Sequence, residues 1–143
     1  MSTRPAPATF LQTPEQLAEH LGLPVEPLRA VHGVYPLRIS RYYLDLIRQV
    51  GPPLWKQAVP DLQELDDPDG QEDPLAEENL SPVPGLVHKY ADRALFLVSN
   101  ECAMYCRFCT RKRKVGKPGM AIDDETIAAG LAYLRRTPAL PDI

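Results

Sequence analysis

The sequence has 143 residues, which is enough for a domain with a hydrophobic core, and its 44% hydrophobic and 24% charged residues are typical of globular proteins. The formal net charge of −3 argues against a general nucleic-acid binder. No apolar run approaches the roughly 20 residues of a membrane-spanning helix, and residues 1–10 lack the apolar stretch of a secretory signal. We therefore expect no membrane contact and a location in the reducing cytoplasm.

The first part of the chain is predicted to be helical. Thr13 can cap a helix whose first turn contains Pro14 and Gln16, and Gly22 is expected to end it. A second helix is predicted after Ser40, because apolar residues then recur at helical spacing until the Gly-Pro-Pro sequence at 51–53. A weaker third element is expected within residues 55–65.

Residues 66–84 are rich in proline and acid, and we expect an extended connector there. Nine carboxylates lie between residues 61 and 78, without the spacing of a calcium loop. We interpret this acidic stretch as a solvated, poorly packed segment. The predicted organisation is therefore a helical extension with its connector over residues 1–84, followed by a second unit over residues 85–143.

The second unit is predicted to begin with a strand at Ala94–Val98, a short continuous apolar run that favours burial on both faces in a parallel sheet. Asp123 can cap a later helix. The apolar stripe of that helix is Ile127, Leu131 and Leu134. The order strand, loop, helix predicts an α/β fold with its functional loop at the carboxyl end of the strand.

All three cysteines, Cys102, Cys106 and Cys109, lie in that loop with C-x3-C-x2-C spacing. A single disulfide would leave the third thiol unpaired, whereas three thiolates from one loop suit a metal or an iron–sulfur cluster. Three protein ligands also leave one metal position open for chemistry. The alternative is a closed structural zinc site with His88 as the fourth ligand and no catalysis.

A local basic run overlaps the cysteines, with six positive charges in residues 107–117. Such a cluster indicates an anionic ligand beside the cysteine loop. Nucleic acid is an alternative partner, although no recognition motif accompanies the run and the whole chain is negatively charged.

The cysteine loop, read as Tyr105-Cys106-Arg107 followed by Thr110-Arg111-Lys112-Arg113, resembles the radical S-adenosylmethionine enzymes. The preceding sequence SPVPGLVHKY at 81–90 narrows the resemblance to the lysine 2,3-aminomutase family. The similarity runs from about residue 30 to the end of the sequence. It implies that the second unit is the first strand–loop–helix part of a partial (β/α) barrel. Since one such unit cannot close a barrel, we expect the N-terminal part of a longer protein, inactive by itself.

The resemblance implies an enzyme that moves an amino group from C2 to C3 of an amino acid. Its cofactors would be a 4Fe–4S cluster on the three cysteines, S-adenosylmethionine and pyridoxal phosphate. Arg111 stands where the family binds the substrate carboxylate. The residues that match pyridoxal phosphate contacts are Lys89, Tyr90 and Arg93. A flavodoxin or ferredoxin would supply electrons, and a homo-oligomer is a further expectation.

Two departures from the family pattern leave the substrate open. Lys89 stands where arginine is frequent, and Phe108 stands where lysine aminomutases carry histidine. A glutamate or arginine 2,3-aminomutase, or a relative that modifies a translation factor, are therefore alternatives. The family's glycine-rich S-adenosylmethionine motif and the lysine that holds pyridoxal phosphate are expected beyond Ile143.

Overall fold

The computed structural model describes residues 10–143, which form five α-helices and two small antiparallel sheets. In chain order the elements are β1 (Phe10–Leu11), α1 (Pro14–Leu21), α2 (Val25–His32), β2 (Ile39–Ser40), α3 (Arg41–Val50), α4 (Pro52–Ala58), β3 (Leu86–Tyr90), β4 (Arg93–Phe96) and α5 (Asp124–Arg135). Short 3-10 turns lie at Leu62–Leu65 and Pro118–Met120. Within this described part, no helix is both long and apolar enough to cross a membrane.

The predicted caps of α1 and α3 are confirmed. The Thr13 hydroxyl accepts a hydrogen bond from the backbone of Gln16 at 3.3 Å, and the Gln16 side chain accepts one from the backbone of Thr13 at 3.2 Å. Gly22 ends α1 with φ +69°, a conformation that glycine adopts without strain. The Ser40 hydroxyl accepts from the backbone of Tyr43 at 3.2 Å and so begins α3.

Two helices were not predicted from the sequence. Helix α2 follows Pro24, which makes no side-chain cap, so the usual polar signal of a helix start is missing. Helix α4 begins at the prolines that were expected only to end α3, because proline suits the first turn of a helix. The predicted element at 55–65 is therefore divided between α4 and the 3-10 turn at Leu62–Leu65.

The N-terminal helices enclose the larger of two hydrophobic clusters. Strand β1 pairs with β2 and joins the start of this region to α3. The buried members of the cluster are Leu11, Leu17, Ala18, Leu28, Leu37, Ile39, Leu44, Ile47, Ala58 and Val59. Met104 of the cysteine loop also packs against this cluster, so the loop rests on the helical region.

The strand predicted at Ala94–Val98 forms as β4, but its main pairing is antiparallel and it is less buried than predicted. Strand β4 pairs antiparallel with β3, and Tyr90 lies opposite Arg93. The strand ends at Phe96, and Leu95 and Val98 are 39% and 64% exposed. A hairpin forms because a short turn returns the chain directly onto the preceding strand, whereas parallel pairing needs a long crossover.

The predicted helix at Asp123 is confirmed as α5, with the Asp123 carboxylate accepting from the backbone of Thr126 at 2.8 Å. Helix α5 packs against the hairpin, where Gly130 lies against the ring of Phe96. After α5 the chain returns beside β4: Ala94 donates to the Asp142 carbonyl at 3.1 Å in a parallel bridge. Residues 10–143 thus form a mixed helical and antiparallel structure without a closed barrel.

Candidate cluster and cofactor site

The three cysteines lie on an irregular loop after β4 and line one small cavity. Cys102 is exposed, Cys106 and Cys109 are partly buried, and all three are free thiols. Tyr35 and Pro36 from the helical region line the same cavity. In residues 10–143 no three His, Cys, Asp or Glu side chains converge to hold a single metal ion. The residues that line this cavity include three thiols and no carboxylate. Three thiols nevertheless match the ligands of an iron–sulfur cluster.

Backbone hydrogen bonds attach the cysteine loop to the helical region. Tyr105 donates to the carbonyl of Arg38 at 3.0 Å, and Arg107 donates to the carbonyl of Gln57 at 2.8 Å. Arg111 donates its backbone N–H to Cys109 Sγ at 3.4 Å. The loop therefore has a defined path although it contains no regular helix or strand between β4 and the turn at Pro118–Met120.

The thiol of Cys106 favours its neutral form. Burial raises its pKa, and the neighbouring Cys109 raises it further. A cation that binds here must therefore displace a proton from Cys106.

Arg107 is a buried cation that crosses from the cysteine loop to the helical region. Its guanidinium donates to the Glu64 carboxylate at 2.8 to 3.1 Å and to the Pro36 carbonyl at 3.1 Å. Lys112 also donates to Glu64. Burial alone would raise the pKa of Glu64, but the hydrogen bonds from the two cations outweigh it and hold that pKa below its ordinary value.

Arg111 is held by a second buried carboxylate, Glu77. Arg111 Nε lies 3.2 Å from Glu77 Oε2, and Arg111 Nη2 lies 2.5 Å from Glu77 Oε1. The Glu77 side chain is 5% exposed, whereas that of Arg111 is 29% exposed. This two-pronged contact fixes one edge of the guanidinium plane.

Acidic residues also pair with Arg113 and Lys114 of the basic run. Arg113 Nη2 lies 2.9 Å from Asp73, and Arg113 Nε lies 3.1 Å from Glu78. Lys114 Nζ is 3.8 Å from the same Glu78. The interpretation of the acidic stretch as a solvated connector is therefore wrong for Glu64, Asp73 and Glu77, which are at least partly buried and pair with the cysteine loop. The other six carboxylates of the stretch are exposed, as expected.

A second cavity, of about 350 Å³, brings together the other predicted site residues. Lys89, Tyr90 and Arg93 of the hairpin line it, and so do Arg111 and Glu77. The cations of Lys89 and Arg93 each lie 6.0 Å from the centre of the Tyr90 ring. Two cations beside a phenol suit an anionic, aromatic ligand, which is the character of pyridoxal phosphate.

His88 does not line the cysteine cavity, contrary to the zinc alternative. Its Nδ1 lies 2.6 Å from the hydroxyl of Tyr133 in α5, and the two rings meet edge to face. His88 therefore joins the hairpin to α5.

Glu64 and Glu77 were missed in the sequence as residues of the site. Charge balance is the signal that could have found them, because an acidic stretch and a basic run of similar size occur in one chain of small net charge. Their pairing cannot be read from spacing, since the partners lie 34 to 48 residues apart.

Known proteins resemble this chain over most of its length. It is 44% identical to L-lysine 2,3-aminomutase of Bacillus subtilis over 120 residues, which cover 82% of the chain and 26% of the relative. It is 41% identical to L-lysine 2,3-aminomutase of Acetoanaerobium sticklandii over 139 residues, covering 93% of the chain and 34% of the relative. Glutamate 2,3-aminomutase of Clostridioides difficile is 32% identical over 120 residues, covering 82% of the chain and 28% of the relative.

The chain spans about a third or less of the length of these relatives. No protein-family model matches it. The similarity to several aminomutases nevertheless extends over more than four-fifths of the chain. The chain belongs to the lysine 2,3-aminomutase-like family.

Proposed function

We propose that this chain forms part of a radical S-adenosylmethionine enzyme that moves the amino group of lysine from C2 to C3. One observation carries the proposal: Arg111, two residues after Cys109, lines a cavity with Lys89, Tyr90 and Arg93. A cluster ligand and a carboxylate-binding cation are thus adjacent in the chain. The names of the relatives support the same reaction class.

Cys102, Cys106 and Cys109 would hold a 4Fe–4S cluster, leaving one iron open for S-adenosylmethionine. When bound, this pair supplies the one-electron chemistry that begins the reaction. The chain's own contribution is the loop that positions three thiols, with a backbone N–H directed at the Cys109 sulfur. Because Cys102 is exposed, a small electron carrier such as flavodoxin or ferredoxin can approach the loop.

Lys89, Tyr90 and Arg93 would bind pyridoxal phosphate, whose ring supplies the electron delocalisation that amino-group migration needs. Lys89 and Arg93 contribute positive charge for its phosphate, and Arg111 binds the carboxylate of the amino acid. Lysine at position 89 offers a point charge, so the phosphate contact there is less directional than an arginine contact.

The fold belongs to the same proposal. Strand β4, the cysteine loop, α5 and the parallel return at Asp142 follow the order of one β/α unit, which we interpret as the start of a radical S-adenosylmethionine barrel. Residues 1–84 would form the helical extension and connector, and residues 85–143 the first part of the barrel. The proposal also includes a location in the reducing cytoplasm and assembly into a homo-oligomer.

Glutamate is the second candidate substrate. The relative from Clostridioides difficile, 32% identical, is named glutamate 2,3-aminomutase. Both amino acids present the same carboxylate to Arg111, so residues that contact the far end of the substrate must discriminate between them.

The test is anaerobic reconstitution of the full-length protein with iron and sulfide, followed by low-temperature EPR after reduction, with and without S-adenosylmethionine. Pyridoxal phosphate and either lysine or glutamate are then added, and the β-amino acid product is measured by mass spectrometry. We expect an EPR signal that shifts with S-adenosylmethionine and a product from lysine. A product from glutamate alone would favour the second candidate.

Cys106→Ser should lose most of the iron, whereas Thr110→Ala, an exposed neighbour in the same loop, should keep it. A colourless wild type that holds zinc would contradict the proposal. A Cys106→Ser protein with full iron content would contradict the ligand assignment.

A further inference from the structure

Arg111 presents two different edges to its surroundings. The edge formed by Nε and Nη2 is bound to Glu77. The outer edge contains Nη1, which has no hydrogen-bond partner among residues 10–143. A guanidinium can bind a carboxylate on each of two edges, so Arg111 can keep Glu77 and bind a second carboxylate.

We propose that Glu77 is a positioning residue for substrate recognition: it holds Arg111 by its inner edge so that the outer edge receives the amino acid carboxylate. The inference rests on the proposed function of Arg111. It assigns Glu77 a role in substrate affinity that is separate from folding. Both side chains line the cavity of Lys89, Tyr90 and Arg93, where that carboxylate would lie.

The chain around Glu77 is arranged to keep its carboxylate in place. The Glu77 carbonyl accepts hydrogen bonds from the Ser81 hydroxyl at 2.6 Å and from the backbone of Leu80 at 3.1 Å. The preceding residue, Ala76, has φ +52°, a conformation that is rare and unfavourable for alanine. The surrounding turns therefore enforce a costly backbone geometry that immediately precedes the buried Glu77.

Orientation is expected to outweigh charge in this pair. Removing the negative charge of Glu77 would make the cavity more positive and favour anions, but Arg111 is partly exposed and solvent screens that gain. Removing the hydrogen bonds would free a long side chain, which the substrate would then have to immobilise. The two effects predict opposite changes in KM, so KM decides between them.

The test uses the reconstituted full-length enzyme with lysine as substrate, and measures KM, kcat, iron content and thermal melting. Glu77→Gln is expected to raise KM about tenfold, with kcat and iron content changed less than about twofold. Arg111→Lys should also raise KM. Adding Glu77→Gln to Arg111→Lys should raise KM no further, because Glu77 acts through the guanidinium.

Glu78→Gln is the matched control. Glu78 is the neighbouring acid and pairs with Arg113 and Lys114 instead of Arg111. The KM of the Glu78→Gln enzyme should therefore stay within about twofold of the wild-type value. If Glu77→Gln does not fold, Glu77→Asp keeps the charge on a shorter side chain and should give a smaller rise in KM.

Several results would overturn the inference. A lower KM in Glu77→Gln would mean that Glu77 competes with the substrate for Arg111, and an unchanged KM would remove its role. The inference would also be overturned by additive effects on KM in the double variant or by a wild-type KM in Glu77→Asp. A loss of kcat that parallels a loss of iron would overturn it as well. An inactive wild-type enzyme would contradict the proposed function itself. The results above concern Glu77 alone, because they can be obtained only with an active wild-type enzyme.

Discussion

Glu64 accepts hydrogen bonds from two cations of the cysteine loop, Arg107 and Lys112, that lie 43 and 48 residues later in the chain. The Arg107 side chain is 5% exposed and the Glu64 side chain 12%. A buried cation that lost this carboxylate would keep its desolvation cost, with only the Pro36 carbonyl left to offset it. Single charged side chains thus add to the backbone hydrogen bonds that attach the loop to the helical region.

Glu64→Gln should lower the free energy of unfolding by about 1 to 3 kcal/mol at pH 7. The pKa of Glu64 is lowered in the folded state, so its stabilisation is present above its ordinary pKa of 4.5 and is lost as the pH falls through the lower folded value. The difference between wild type and variant should therefore shrink below about pH 4.5. Urea unfolding at several pH values measures it.

The control for this variant is Glu72→Gln, which changes an exposed acid whose backbone carbonyl, and not its side chain, accepts from Arg113. It should change stability by less than about 0.5 kcal/mol at any pH. A Glu64→Gln effect that stayed constant down to pH 3 would show that charge at Glu64 is not the cause.

Among the secondary-structure elements, those with local signals could be predicted from the sequence. Thr13, Ser40 and Asp123 each cap a helix through a hydrogen bond that spans only three residues, so a short pattern contains all the information. Helix α2 lacks such a cap and was missed. The antiparallel pairing of β4 with β3 was not predicted, because an apolar run does not specify its partner strand.

The residues of the candidate site also differ in whether a local sequence pattern indicates them. The three cysteines and Arg111 stand out by spacing and by resemblance within a single loop. Glu64 and Glu77 do not, because their role depends on contacts with residues far along the chain. Sequence spacing indicates ligands that lie on one loop, whereas ion pairs between distant segments need the fold.

Helix α5 approaches β4 closely because residue 130 has no side chain. A Cβ at Gly130 would lie 2.3 Å from the Phe96 ring. Gly130→Ala should therefore destabilise the protein by about 1 to 3 kcal/mol, although alanine favours the helix by about 1 kcal/mol. Thermal or urea unfolding checks this expectation.

A matched glycine and a second-site change test the cause. A Cβ at Gly119 would meet nothing within 4 Å, so Gly119→Ala should be nearly neutral. Phe96→Leu shortens the opposing side chain and should restore part of the stability lost in Gly130→Ala. Equal destabilisation with and without Phe96→Leu would contradict the steric explanation.

In the whole molecule, apolar packing and ion pairing stabilise different regions. The helices enclose one hydrophobic cluster, and the hairpin and α5 enclose a smaller one. The cysteine loop lies between the acidic stretch and the helical region, and several of its charged side chains form ion pairs there. The loop should therefore respond to ionic strength more strongly than the helices do.

Hydrogen exchange at about 0.05 M and about 1 M salt tests this expectation, since the screening length falls to roughly 3 Å at 1 M. The amides of Tyr105 and Arg107 should exchange faster at high salt. The amide of Leu44, in the core of α3, is the internal control and should change little. Uniform acceleration at all three amides would indicate global unfolding instead.

The ion pairs of the basic run also give a prediction for nucleic acid. Four of its six cations lie within 3.2 Å of a carboxylate oxygen, so little free positive charge remains for phosphates. At 0.15 M salt the protein should not show the non-specific binding, with Kd of roughly 10⁻⁴ to 10⁻⁶ M, of a basic surface. Fluorescence anisotropy with a labelled oligonucleotide measures it, and saturable binding in that range would contradict the pairing.

In each ion pair between the acidic stretch and the cysteine loop, the ribosome makes the acid before its basic partner. Glu77 leaves the ribosome 34 residues before Arg111, and Glu64 leaves it 48 residues before Lys112. At roughly 5 to 20 residues per second, the acids wait about 2 to 10 s for their partners. During that interval the carboxylates of the nascent acidic stretch are without their partners in the cysteine loop. The N-terminal helices and the acidic residues therefore precede the cysteine loop in synthesis. The loop can then pair with carboxylates that are already present.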